Sequence, residues 1–326
     1  MGAFLIRRLL ISIPVLLGIT IIGFVALRLA PGDPLLATAN PEVLANLAAH
    51  PEILAQERAK LGFDQPIFPN QYARWLGGVL QGDLGYSISS KRSIAYEIGT
   101  RLPQTLLLMV TALTLAVLIG IPIGVITAVK QYSKTDYILN AASIFLASVP
   151  VFVLGLVFVY VFAVNLRLVP TSLLHSPGRT DALDAIHHLI LPATVLAIVN
   201  AAPLARYTRA SMLDVLNSEY VQTARAKGLV PRLVILRHAF KNALIPIITI
   251  IAWLAPEAVA GAVITEQIFG WNGIGQLAVR AAGARDPSLM MGIILITGSA
   301  VLLANIIADV AYAYVDPRVR YEQAKA

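Results

Sequence analysis

Apolar residues run along this chain in long unbroken stretches. A helix needs about 20 such residues to cross the hydrocarbon core of a bilayer. Six stretches qualify: residues 9–29, 102–129, 137–164, 189–205, 244–268 and 289–314. The fourth is the weakest, being short and carrying Pro192 and Pro203. Proline is tolerated inside membrane helices because neighbouring groups satisfy the freed carbonyls. The runs are continuous rather than alternating, which excludes a β-barrel. The pattern predicts an all-α integral membrane protein with six transmembrane helices.

The polar positions divide the rest. Arg7 and Arg8 precede the first run, as in a signal peptide, but that run is too long and Arg28 interrupts the cleavage site. An uncleaved helix is expected, with Arg28 snorkelling to the far interface. Three regions follow: 1–30 with the first helix, 31–101 as an external segment, and 102–326 as the core with a loop at 206–243. In the external segment, Asn40-Pro41-Glu42 reads as N-cap, N1 and acidic first turn. Pro51 starts another helical stretch that Gly62 can end. Tyr72, Trp75, Leu76 and Val79 then recur at helical spacing. Either a lid packed on the membrane helices or a docking surface for an external partner fits this segment.

Composition sharpens the class. Of 326 residues, 57% are hydrophobic and 13% charged, against about 25% charged in soluble domains. Mean hydropathy is +0.75. A soluble enzyme and a disordered chain are both excluded. The net charge of +7 reflects basic loops on the cytoplasmic side, not nucleic-acid binding. With the N-terminus inside, the inner segments hold fourteen Lys and Arg and the short outer loops four. Both termini are therefore expected in the cytoplasm.

Chemistry is sparse. Without cysteine there are no thiolate metal sites or Cys nucleophiles. The chain lacks Gly-Lys, and hence a Walker A loop, and also lacks His-Glu-x-x-His and Gly-x-Ser-x-Gly. His187-His188 reads as an interfacial pair, since a metal site there needs further ligands. No catalytic, cofactor or metal residues are assigned. Glu257, near the middle of the fifth helix, and Asp309, in the sixth, are intramembrane acids that cost roughly 2.5–3.5 kcal/mol to insert. With Trp253 they are candidates for a translocation pathway. For Glu257 an interhelical hydrogen bond is the alternative. Glu266 lies near the outer end of the fifth helix. Gly120 and Gly124 form a small-xxx-small pair suited to close helix packing.

The most informative stretch is 206–242. Asn217 or Ser218 can cap a helix with Glu219 in its first turn. Gly228 stops that helix, and Pro231 begins another that feeds the fifth membrane helix. The small Ala224 and Ala226 allow close approach of another protein. Such a basic element can also rest on anionic membrane lipid.

Gln222-Thr223-Ala224-Arg225-Ala226-Lys227-Gly228-Leu229, followed by Leu236 to Pro246, resembles the coupling loop of binding-protein-dependent ABC transporter permeases. Within them it resembles the first-permease type of the dipeptide/oligopeptide/nickel subfamily. Further matches are Ala30-Pro31-Gly32-Asp33-Pro34, Gly82-Asp83-Leu84-Gly85-Tyr86-Ser87, Arg101-Leu102-Pro103-Gln104-Thr105, Glu266-Gln267-Ile268-Phe269 and Asp316-Pro317-Arg318. Gln222-Thr223-Ala224 replaces the general Glu-Ala-Ala, Lys241 stands where a proline is general, and Asn272-Gly273 replaces a common Pro-Gly; the first two are usual in the peptide subfamily.

The resemblance implies a type I ABC importer permease, half of a channel completed by a second permease. Two cytoplasmic subunits would bind ATP and Mg and dock on Gln222 to Leu229. An extracytoplasmic binding protein would deliver a di- or oligopeptide. Arg225 and Lys227 would pair with acidic groups on the ATPase or face solvent. The alternative is a self-sufficient secondary transporter of a small solute, for which no clear internal repeat is detected.

Overall fold

The computed structural model describes residues 2–29, 36, 49–61, 64–176, 178–179 and 181–315. Side chains are described at all of these except 2–4, 57, 60–61, 255–261 and 312–315. Among the described residues the structure is helical, and its only β feature is a bridge between Tyr86 and Ser93. Among the described residues, five helices are long and apolar enough to cross a membrane, or six if one bent pair counts as a span.

The first is α1 (Gly2–Leu29). Its Arg28 guanidinium lies 5.4 Å from the Phe24 ring centroid. Helix α2 (Pro51–Leu61) begins at the expected proline; its expected stop at Gly62, and the cap expected at Asn40-Pro41-Glu42, lie outside the described residues. Helix α3 (Tyr72–Leu80) follows, then α4 (Ile94–Val129). The latter begins eight residues before the apolar run because Ile94 and Ile98 seat in a cluster with Ile274, Leu277, Leu289 and Ile293.

The expected single crossing over 137–164 is broken. Helix α5 (Lys134–Ser148) and α6 (Val151–Phe158, continued by wider turns to Asn165) meet at 104°. Pro150 lacks an N–H and drives Val149 out of the helical region, to ψ 124°. The stretch expected to be weakest is the core of α7 (Ala182–Leu216), whose most apolar part is half buried in protein, more than that of any other described span. Its low apolar signal has a physical cause: Ala193, Ala197, Ala201, Ala202 and Ala205 are buried in protein and need no large lipid-facing side chains.

The remaining elements are α8 (Glu219–Ala226), α9 (Pro231–Leu233), α10 (Lys241–Ile268), α11 (Ile274–Gly283) and α12 (Pro287–Val315). Wider turns over Val234–Phe240 join α9 to α10.

The chain divides into two compact units, each drawn from separate stretches of sequence. One comprises Met1–Arg8, Thr105–Asn272 and Leu303–Ala326; the other comprises Leu9–Gln104 and Gly273–Leu302. In the first, Gly120 and Gly124 of α4 pack on α7, where a Cβ at Gly124 would lie 2.5 Å from Thr208 Cβ and 2.6 Å from the Ala205 carbonyl oxygen. In the second, Tyr72 of α3 packs with Phe24 and Met291, and its hydroxyl lies 3.0 Å from Thr20 Oγ1. The helical spacing read in the external segment thus serves packing.

Candidate functional site

Helix α8 begins after Ser218, whose backbone is extended, as an N-cap requires. The expected side-chain cap does not form. The Ser218 hydroxyl donates back to the Val215 carbonyl at 2.6 Å instead. Such local bonds compete directly with capping. Glu219 sits in the first turn as expected, where a carboxylate complements the helix dipole.

The helix has two distinct faces. Val221 is fully buried and Ala224 is 6% exposed. Both join a core with Met212 and Leu216 of α7, Ala128 of α4, and Val234, Ala239 and Ile247 further on. Gln222, Thr223, Arg225, Ala226, Lys227, Gly228 and Leu229 lie on the exposed side. Ala224, expected to allow close approach of a partner, is instead spent on the chain's own core. Its spacing from Val221 by three residues is the signal for that role.

The exit from α8 is built by hydrogen bonding. Gly228 adopts φ +76°. Its N–H donates to the Arg225 carbonyl at 2.9 Å, and the Leu229 N–H to the Ala224 carbonyl at 3.4 Å. This pair of bonds is a Schellman C-cap, which calls for a residue in the left-handed region. Nothing lies within 4 Å of a Cβ built at Gly228, so glycine is required there by conformation and not by space. Pro231 then occupies the first turn of α9. Arg225 and Lys227 form no ion pair with a described carboxylate. Gln222 Nε2 donates to the Asn217 carbonyl at 3.2 Å, and Thr223 Oγ1 to the Glu219 carbonyl at 2.9 Å.

Trp253 stands on α10, 61% exposed. Glu257 is also on α10, but its side chain lies outside the described residues. Asp309 is paired with Arg8 at 3.0 Å, so its charge is met by the first helix. Glu266 is fully buried and accepts from Thr105 Oγ1 at 2.6 Å.

His187 and His188 do not form a pair facing the interface. His187 Nε2 lies 2.8 Å from the Leu168 carbonyl oxygen. His188 is buried, with Nδ1 2.9 Å from the Ser172 carbonyl oxygen. Both tie the loop before α7 onto that helix. Among the described residues no group of three His, Cys, Asp or Glu could hold a metal.

Asp286 and Asp136 are among the buried acids that the sequence alone did not single out. Asp286 accepts from Ser87 Oγ at 2.6 Å, from Ser89 N and Ser89 Oγ at 3.0 Å, and from Leu289 N at 3.0 Å. Asp136 accepts from Arg209 and from Tyr132 N. Each had a local signal: Asp286 directly precedes Pro287, as an N-cap before N1, and Asp136 follows Ser133 by three residues, as in a capping box.

A multi-pass helical chain that carries a short helix, a left-handed glycine and a second helix between two of its spans has the form of a transport permease. Residues 120–321 match the family described as "Binding-protein-dependent transport system inner membrane component", and residues 1–109 match the N-terminal component of the same systems. The chain belongs to this family, and it is a multi-pass inner-membrane permease subunit of the ABC importer class.

Relatives match over essentially their whole length. The oligopeptide transport system permease protein AppB of Bacillus subtilis (strain 168) is 44% identical over 98% of this chain and 100% of its own. The dipeptide transport system permease protein DppB of Escherichia coli (strain K12) is 35% identical over 98% of this chain and 99% of its own. Among solved structures, an inward-facing MetNI methionine ABC transporter aligns with TM-score 0.58 at 15% identity, covering 68% of this chain and 97% of that one. That likeness speaks for the fold.

Proposed function

We propose that this chain is one of two membrane-spanning subunits of an ATP-driven importer of di- or oligopeptides, and that α8 with Gly228 is the surface on which its ATPase partners dock. Both termini and α8 lie in the cytoplasm, and an external binding protein delivers the cargo. ATP and Mg bind on two partner subunits, whose closure pushes α8 and rocks the membrane helices as rigid bodies.

The observation that carries this reading is the two-sided construction of α8. Val221 and Ala224 fix it to the membrane core, while Gln222, Thr223, Arg225, Ala226, Lys227, Gly228 and Leu229 stay exposed. An eight-residue helix with one face buried and the other open suits a lever more than a linker. The peptide cargo is supported by the names of relatives 35–44% identical over nearly the whole chain. Trp253 and Glu257 on α10 are the pathway residues of this reading. Asp309 is less suited to it, being paired with Arg8.

A tagged pull-down from native membranes in mild detergent, followed by mass spectrometry, tests the assembly. A second permease and Walker-containing ATPases are expected. Recovery of this chain alone, still moving solute into liposomes without ATP, overturns the reading. Gly228→Asp is expected to leave membrane insertion intact and abolish uptake while ATP hydrolysis continues; normal uptake by that variant removes α8 as the docking surface. For the pathway, Glu257→Gln is compared across di- and oligopeptides, and unchanged uptake of all of them leaves Glu257 a structural residue.

A further inference from the structure

Asp136 lies at the start of α5, 2% exposed. Its carboxylate meets Arg209 of α7 at two points, Nε to Oδ1 at 3.0 Å and Nη2 to Oδ2 at 2.9 Å. This is the planar fork that a guanidinium forms and an ammonium cannot. The same carboxylate accepts from Tyr132 N at 2.9 Å, and Asn140 donates to both its side chain and its backbone carbonyl. Tyr132 is held at φ +63°. The α4–α5 turn is thus closed by Asp136 and bonded through it to α7.

Arg209 stands one turn before Met212. Met212 and Leu216 share one core cluster with Val221 and Ala224 of α8 and with Ala128, near the end of α4. A continuous path of packed or bonded groups therefore runs from α8 through the end of α7 to the start of α5. Helix α5 leads in turn to the 104° bend.

We propose that the Asp136–Arg209 pair is the joint that makes α8, the end of α7 and the α4–α5 turn move as one body, so that a push on α8 reaches α5. This rests on the docking reading given above. Asp136 and Arg209 are positioning residues; neither touches cargo or nucleotide.

The test uses the assembled transporter with its co-purified ATPase subunits. The chain has no cysteine, so spin labels are placed at Tyr137→Cys and Tyr220→Cys, both exposed. Their separation is measured by pulsed electron resonance without nucleotide and with ATP and vanadate. In the otherwise native chain the separation is expected to be the same in both states. In Asp136→Asn it is expected to change by about 2 Å or more on ATP binding, with the charge-exchanged pair Asp136→Arg/Arg209→Asp returning toward native behaviour. If Asp136→Asn does not assemble, Arg209→Lys is used; it keeps the charge and removes the fork.

A nucleotide-dependent separation in the native pair overturns the proposal. So does an unchanged separation in the assembled variants. Failure of both variants to assemble assigns the pair a folding role alone and overturns it as well. If the ATPase subunits do not bind the native chain at all, the docking reading itself falls, which is a separate result.

Discussion

Gly124→Ala adds one methyl group to a 326-residue protein, and the structure says it cannot be accommodated in place. The new Cβ would lie 2.5 Å from Thr208 Cβ, 2.7 Å from Thr208 Cγ2 and 2.6 Å from the Ala205 carbonyl oxygen. Carbon atoms sit comfortably at about 3.5–4.0 Å. Two of the three obstacles belong to the α7 backbone or move only with it, so α4 and α7 must part locally by about 1 Å. Helix association in lipid rests on this close packing, and overpacking costs about 1–3 kcal/mol. Because no side-chain rotation relieves the contact, the upper part of that range is expected, with a drop in thermal midpoint on the order of 5 °C. The assay is thermal unfolding of the detergent-solubilised chain, followed by loss of its monodisperse chromatographic peak. Gly120→Ala, whose Cβ would meet the Ala201 carbonyl oxygen at 2.8 Å and Leu204 at 3.1 Å and beyond, should fall less. Gly18→Ala has nothing within 4 Å and should gain about 0.5–1 kcal/mol from helix propensity. A Gly124→Ala midpoint equal to that of Gly18→Ala would refute the packing argument.

Thr105→Val removes the donor 2.6 Å from the buried Glu266 carboxylate and should cost about 1–3 kcal/mol, seen as a lowered thermal midpoint that Thr105→Ser does not share. Asp286→Ala withdraws the acceptor for Ser87, Ser89 and Leu289; limited proteolysis should then cut the 83–92 loop faster, and an unchanged cleavage rate would argue against the role given to Asp286. The proposed orientation is read by impermeant maleimide labelling of intact cells. Tyr86→Cys should react at once and Val230→Cys only after permeabilisation, both positions being well exposed, and labelling of both from one side would reverse or void the assignment.

What could be read from the sequence was what local chemistry dictates. The α8–Gly228–Pro231 element was legible because a left-handed glycine and an N1 proline are one-residue requirements. The apolar runs were legible because the bilayer imposes a length. Three features were not legible, each for a physical reason. The bend at Val149–Pro150 hides because composition on both sides stays apolar while the backbone breaks. The buried rank of α7 hides because alanines facing protein look less like a span than leucines facing lipid. The partner of Asp136 hides because Arg209 is 73 residues away, and no spacing rule reaches that far. Over 222–229 the helix and its glycine stop were legible, but not that Ala224 turns inward.

That inward turn bears on how such an element can work at all. A helix of eight residues is far below the length at which an isolated helix is stable in water, about 12–15 residues. The order of α8 is therefore borrowed: Val221 and Ala224 bury it, and the Schellman bonds at Arg225–Gly228 and Ala224–Leu229 close its end. A helix stable by its own propensity, tethered by flexible ends, would yield to a push without passing it on. A helix whose structure exists only through contact with the membrane core cannot move without moving the residues it is packed on. The burial of Ala224 thus subtracts one residue from the proposed docking surface and supplies the mechanical connection that such a surface would need.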